Sequence, residues 1–359
     1  MIDRRTFGRT MGVGLGAAAA TVSGLEGPTS ASAASQSSPA APATADATPG
    51  TGASAGSSTG FDEIKQIRAG LLDVGYAELG RARGPVVICL HGWPYDIHSY
   101  ADVAPLLAAE GYRVIVPYLR GYGSTSFLSA DAVRNAQQSA FALDIVALMD
   151  RLRIEQAVLA GFDWGSRTAD CIAALWPHRV KALVSVSGYL ITNLEAQKTP
   201  LPPASEYAWW YQYYFSTERG AAAMNIQQNR HDLAKLVWSV VSPTWTYDDV
   251  TFERTAAAFE NPDYPAIVVD NYRWRLGLAP GQPQYDKYEA LLQAKPVITV
   301  PTVTLDPARD PFTAPGEGSA YRSMFTGRYA HHTLADIGHN LPQEAPEDFA
   351  AAVIEADHL

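Results

Sequence analysis

Short, wholly apolar runs alternate along this chain with longer stretches whose apolar residues recur at helical spacing. Residues 85–90 (PVVICL) and 157–160 are such runs, and 112–117 and 180–187 nearly so, interrupted by Arg113 and by Lys181, Ser185 and Ser187; all are too short for buried helices. That pattern suits strands covered on both faces of a parallel sheet. Segments 99–110, 135–152 and 168–176 read as the helices between them, and 71–74 with 76–79 as a short hairpin about Gly75. The alternation stops after Gly188. From Ile191 to Ala294 the chain is rich in Trp, Tyr and Pro, with helical stretches and no clear buried strand. It resumes with a strand at 297–305, a helix at 319–325, a strand at 331–337 and a last helix at 346–355. Strands alternating with helices predict an open, mostly parallel α/β sheet. Its two parts, 61–190 and 295–359, would flank an inserted helical cap at 191–294.

Composition narrows the function classes. The chain has 359 residues, 47% of them hydrophobic and 18% charged, which is ordinary for a globular protein. A net charge of −10 gives no basic footprint for nucleic acid or anionic lipid. No uninterrupted apolar run is long enough to predict a membrane span. Cys89 and Cys171 sit inside apolar segments and read as buried small hydrophobes rather than a disulfide. The amino end reads as a leader: Arg4-Arg5, a weakly apolar Gly/Ala-rich stretch, then Ala31-Ser32-Ala33 as a cleavage site over residues 1–33. The paired arginines with Phe7 resemble the twin-arginine class, which implies export of an already folded protein to the periplasm or beyond. Residues 34–60, almost without large apolar side chains, read as a flexible linker.

The candidate chemistry gathers at the predicted strand ends. Gly161-Phe162-Asp163-Trp164-Gly165 lies between the 157–160 strand and the following helix, with a glycine two places either side of Asp163. Small flanking residues let strand and helix close around a strained turn that lifts its central residue above the sheet. A carboxylate there can attack carbon and form an ester that a second step must hydrolyse; an aspartate there can also simply cap the helix. The second step needs a base. Of eight histidines, His339 lies in a loop after the last strand. His331 and His332 fall within that strand and read as structural, and His98, His178, His231 and His358 as surface residues. His91 reads as a structural hydrogen-bonding group. A carboxylate after the penultimate strand should orient His339 and stabilise its cation. Asp306 and Asp310 both qualify; Asp310 is preferred because it sits out in the loop, whereas Asp306 lies at the strand end. The backbone N–H groups of Trp93, in His91-Gly92-Trp93-Pro94, and of Trp164 would form the oxyanion hole, with Pro94 fixing the turn.

Nucleophile, acid and histidine follow in the order of α/β-hydrolase triads. On these residues the chain resembles the epoxide hydrolase branch of the α/β-hydrolase superfamily, with haloalkane dehalogenases as near relatives. His91 to Pro94 is similar to the H-G-x-P motif, often with a cis bond before the proline. Asp163-Trp164-Gly165 is similar to the nucleophile motif, and Gly338-His339 with Glu344 and Pro346 to the histidine loop. The likeness runs from about Leu71 to the carboxyl end and departs at Pro307, where relatives usually carry glycine. It implies two cap tyrosines that donate to the oxirane oxygen. Tyr211-Gln212-Tyr213-Tyr214-Phe215 resembles the first segment and Asn271-Tyr272-Arg273 the second, so Tyr211 and Tyr272 take the roles, with Tyr207, Tyr213, Tyr214 and Tyr264 as competitors. The resemblance implies a cofactor-free, metal-free hydrolase turning a small apolar epoxide into a vicinal diol through an ester on Asp163. Dehalogenation would need halide donors, for which Trp164, Trp209, Trp210, Trp238 and Trp245 are available. Haloacetate dehalogenases hold the substrate carboxylate with an arginine beside the nucleophile; Trp164 stands there, leaving Arg167. A non-catalytic binding protein on the same fold is the reading from another class.

Overall fold

One sheet organises the molecule. The computed structural model describes residues 60–312 and 318–359; the leader expected over 1–33, and all of the 34–60 linker but Gly60, lie outside the described residues. The strands are β1 (Lys65–Ala69), β2 (Leu72–Gly80), β3 (Val86–Leu90), β4 (Arg113–Pro117), β5 (Ser126–Phe127), β6 (Ala157–Gly161), β7 (Val180–Val186), β8 (Thr302–Pro307) and β9 (Tyr329–Leu334). Their order is β1-β2-β4-β3-β6-β7-β8-β9, with β5 beside β2. From β4 to β9 all neighbours pair in parallel, while β1 and β2 form an antiparallel edge. Strand order reverses between β3 and β6, the place where open α/β sheets present a crevice beyond their carboxyl ends. Trp93 follows β3 and Asp163 follows β6.

The parallel strands are apolar because both faces are covered. The helices Val103–Ala109 and Pro346–His358 pack together on one face, and Gln138–Arg151 and Trp164–Leu175 on the other. Every residue of β6 is buried. Residues between β7 and β8 form seven α-helices, from Pro203–Ala208 to Asp286–Gln293, and contain no strand. Phe215, Trp238, Phe252 and Tyr272 carry the hydrophobic core continuously from the sheet into these helices.

Four local expectations are corrected, and one strand was missed. The first hairpin turns at Gly70-Leu71, not at Gly75, which pairs with Gln66 inside the β1–β2 ladder. A Cβ on Gly75 would stand 2.0 Å from Ser124 Oγ, so a side chain there would have to displace the Ser124 hydroxyl. β1 (KQIRA) was invisible as a strand because polar and charged residues interrupt it along a half-exposed edge. The helix expected over 99–110 divides into a 3₁₀ turn, Ile97–Tyr100, and the Val103–Ala109 helix. Pro105, which lacks an N–H, is tolerated only in a first turn, and so sets where the helix starts. The helix expected at 319–325 is a single 3₁₀ turn, Arg322–Met324; the Tyr321 hydroxyl before it donates to the Asp306 carboxylate at 2.6 Å. Two histidines read as surface groups are instead half-buried partners of carboxylates, His98 with Asp96 at 2.7 Å and His231 with Glu253 at 2.8 Å.

Candidate active site

The elbow is built by exclusion of side chains. Asp163 adopts φ 51° and ψ −119°, a conformation that costs a non-glycine residue energy and persists only where its surroundings hold it. A Cβ on Gly161 would stand 2.4 Å from the Gly165 carbonyl carbon, and one on Gly165 would stand 1.8 Å from the Leu90 oxygen. Strand, turn and helix therefore meet at backbone contact. Ser166 Oγ donates to Gly161 O at 2.6 Å and accepts from Val186 N at 2.9 Å, tying the turn to β7. The Asp163 side chain makes no capping bond to the helix that follows, so its carboxylate is left for other partners.

Those partners come from the turn after β3, from the elbow itself and from the loop after β9. Trp93 N–H donates to Asp163 Oδ1 at 2.7 Å, and the Trp164 N–H also faces this carboxylate. The Trp93–Pro94 peptide is cis, and Trp238 Nε1 fixes the same turn by donating to Pro94 O at 2.8 Å. His91 holds the turn from behind, with Nδ1 3.0 Å from Gly92 O and Nε2 accepting from Leu119 N–H at 3.1 Å. Burial keeps it neutral by pulling its pKa down to about 4. His339 Nε2 lies 3.6 Å from Asp163 Oδ2, and its Nδ1 lies 2.6 Å from Asp310 Oδ2. The other Asp310 oxygen accepts from Phe312 N–H at 2.9 Å. Asp306 is engaged elsewhere, by Tyr321, with its other oxygen 3.7 Å from His331 Nε2. Pro307 ends β8 without disturbing the loop, because Ala308 N–H continues the ladder to Leu334 O at 2.9 Å.

Burial alone would lower the His339 pKa, but the Asp310 charge and the Asp163 hydrogen bond raise it to about 10. Burial alone would raise that of Asp163, but His339 and the two backbone N–H groups bring it below its ordinary value. At neutral pH the pair is therefore carboxylate and imidazolium, oriented by a second carboxylate. Such an arrangement presents a desolvated anionic oxygen to an electrophile.

Tyr211, on the Trp210–Ser216 helix, lines a cavity of about 400 Å³ together with Asp163, His339 and Asp310. Tyr272, on the Tyr264–Arg275 helix, is 1% exposed and stands behind it, with ring centroids 5.5 Å apart. Burial first, then the Asp163 charge at Tyr211 and the Tyr211 and Asp163 charges at Tyr272, raise both phenol pKa values, so both stay protonated donors. The competing tyrosines lie elsewhere. Tyr207 is 81% exposed, Tyr213 reaches outward to Glu206, and Tyr264 stacks on Phe259. Of three further features only Arg275 was not singled out from sequence; Glu344 belonged to the histidine-loop motif, and Arg167 was the arginine left to a haloacetate reading. Glu344 holds the histidine loop, accepting from Gly338 N–H at 2.8 Å, Asn340 N–H at 3.1 Å and Ser242 Oγ at 2.6 Å. Arg167 and Arg275 line the cavity; the signal for Arg275 was its place one helical turn after Tyr272 on a largely buried helix. Among the described residues no group of His, Cys, Asp and Glu is arranged to hold a metal ion, no helix is long and apolar enough to cross a membrane, and Cys89 and Cys171 are buried and free.

A sheet whose strand ends carry this elbow and histidine loop defines a class, and the comparisons agree. A family profile for the α/β hydrolase fold matches residues 85–346, and the chain belongs to the α/β-hydrolase family. Within that family it is epoxide hydrolase-like. It is 57% identical to a crystal structure of a candidate epoxide hydrolase from Klebsiella pneumoniae, with a TM-score of 0.81, covering 84% of this chain and 100% of that one. It is 25% identical over 308 residues to epoxide hydrolase A of Mycobacterium tuberculosis, covering 77% of this chain and 92% of that protein. Epoxide hydrolase 2 of Siraitia grosvenorii is 38% identical over 108 residues, 30% of this chain and 34% of the relative. The chain thus spans about a third to two fifths of the length of several of the curated relatives it matches.

Proposed function

We propose that this protein is an epoxide hydrolase that works through a covalent ester on Asp163. The observation that carries the reading is the Asp163 carboxylate, uncommitted to its helix, held between two backbone donors and an imidazolium in a cavity that Tyr211 also lines. Asp163 attacks an oxirane carbon; the ring C–O bond breaks as Tyr211, backed by Tyr272, gives its proton to the departing oxygen. Ester formation removes the Asp163 charge that helped raise the His339 pKa. His339 then releases its proton, the tyrosinate regains one, and neutral imidazole becomes available as a base just when one is needed. It deprotonates water, which attacks Asp163 Cγ, and the oxyanion sits on the Trp93 and Trp164 N–H groups. Collapse frees the diol, with His339 returning the proton to its oxygen. The Asp163 carboxyl left by that collapse gives its proton to His339, so epoxide and water are consumed and the carboxylate, imidazolium and phenol are restored.

Diol formation from an epoxide panel tests this directly. Asp163→Asn should abolish it, and Tyr211→Phe should slow ring opening by about 10²–10³, the effect of removing one donor to a developing oxyanion. Halide release from haloalkanes, without diol from any epoxide, would replace the reading with dehalogenation. Against that alternative, the Trp238 N–H is spent on Pro94 O, and of the candidate indoles only Trp209 lines the cavity. Export belongs to the same proposal. A mature protein beginning after Ala33, found outside the cytoplasm, supports it; a cytoplasmic protein retaining residues 1–33 removes it.

A further inference from the structure

The cavity that holds Asp163 also holds two arginines for which the reaction, as written, has no use. Arg167 lies one turn into the helix after the elbow. Its Nη1 donates to the Leu190 carbonyl and, at 2.6 Å, to Thr192 Oγ1, both neutral acceptors, and its Nε has no partner. Arg275 ends the Tyr264–Arg275 helix, is 8% exposed, and has its guanidinium carbon 5.6 Å from the centre of the Tyr272 ring. Its Nε is buried without a partner, and among the described residues no hydrogen bond or ion pair reaches this side chain.

Among the described residues the most deeply buried guanidinium is held differently. Arg120, 1% exposed, is gripped by both Asp144 oxygens at 2.6 and 2.8 Å and by the Asn135 and Ala140 carbonyls. The carboxylates nearest the cavity arginines are already committed. Asp163 and Asp310 serve His339, and Asp170 accepts from Leu190 N–H at 2.7 Å while burial raises its carboxyl pKa to about 7. A buried cation without an anion costs several kcal/mol, and a ligand that brings the anion recovers it. Guanidinium forks match a planar carboxylate with paired hydrogen bonds. A dianion would be disfavoured in a space already holding the Asp163 and Asp310 charges, whereas Leu190, Ile191, Trp209 and Phe312 supply an apolar wall.

We propose that Arg275 and Arg167 form an anion subsite within the Asp163 cavity, and that the epoxide opened here carries a carboxylate on an apolar body. The inference rests on the epoxide hydrolase reading and refines the small apolar substrate expected from sequence.

The test compares terminal epoxides of straight-chain carboxylic acids, graded in chain length, with the matching primary amides. Wild type should show at least a tenfold higher kcat/KM for the acid at one or more lengths. Arg275→Gln should collapse that acid-to-amide ratio, chiefly through KM, and Arg275→Lys should restore part of it. The ratio within each variant is its own control for folding. Equal or better turnover of the amides by wild type at every length overturns the subsite while leaving the Asp163 chemistry intact. Titration of Asp163→Asn with saturated carboxylates of the same lengths separates the two claims. Binding that disappears when Arg275→Gln is added upholds the subsite even if no epoxide is opened, and absence of binding at every length refutes it.

Discussion

Replacing Asp310 by asparagine isolates the charge that orients the base. The side chain of Asp310 is fully buried, with one oxygen 2.6 Å from His339 Nδ1 and the other 2.9 Å from Phe312 N–H. An asparagine has one acceptor and one donor for two sites that both want an acceptor. If its oxygen keeps His339, its NH₂ meets the Phe312 N–H; if the oxygen keeps Phe312, the NH₂ turns His339 into the wrong tautomer. Loss of a buried charge-assisted hydrogen bond is worth about 1.5–3 kcal/mol, or about 10- to 150-fold in rate. A wrong tautomer extends that towards about 10⁴. Turnover of Asp310→Asn should therefore fall by about 10- to 10⁴-fold. The loss should fall on ester hydrolysis, because Asp163 needs no base to attack the ring. Rapid-quench intact mass should then find the variant mostly esterified during turnover, while Asp306→Asn, whose partner is Tyr321, should turn over nearly normally. The reasoning fails if Asp310→Asn stays within about threefold of wild type, or if Asp306→Asn is the variant that stalls.

Two further outcomes follow from the same geometry. A Cβ on Gly92 would stand 2.5 Å from Asp163 Cβ and 2.8 Å from its Oδ1, so Gly92→Ala should displace the nucleophile and cut kcat/KM at least about 100-fold, with the far-ultraviolet circular dichroism unchanged. His339 binds its proton more tightly in the folded state, with a pKa near 10 against an ordinary 6.5. Its contribution, on the order of 5 kcal/mol, is thus fully present below pH about 6.5 and lost as pH rises through about 10. Urea unfolding of wild type and His339→Gln should show a stability difference that shrinks across that window; a constant difference would mean that His339 is not held as a cation.

The parallel strands were legible in the sequence because burial on both faces leaves wholly apolar runs, as in β3 and β6. The edge strand β1 was not, since half of its side chains face solvent and its charged residues interrupt any run. The elbow could be read because glycine is compulsory at two backbone contacts, which leaves a fixed spacing around Asp163. Asp306 and Asp310 could be ranked only by their place relative to the strand end, and the structure puts the His339 Nδ1 at Asp310. Arg275 escaped notice because arginine is common at helix ends, and no local pattern says whether its guanidinium faces water or a cavity. That depends on how the insertion between β7 and β8 folds back over the sheet.

The central claim is the ester on Asp163, and the most direct measurement is the intact mass of His339→Gln after incubation with epoxide. Without its base the enzyme should retain one whole epoxide mass per chain, and peptide mapping should place it on Asp163. Diol production by that variant with no adduct, or an adduct on any other side chain, would contradict the account.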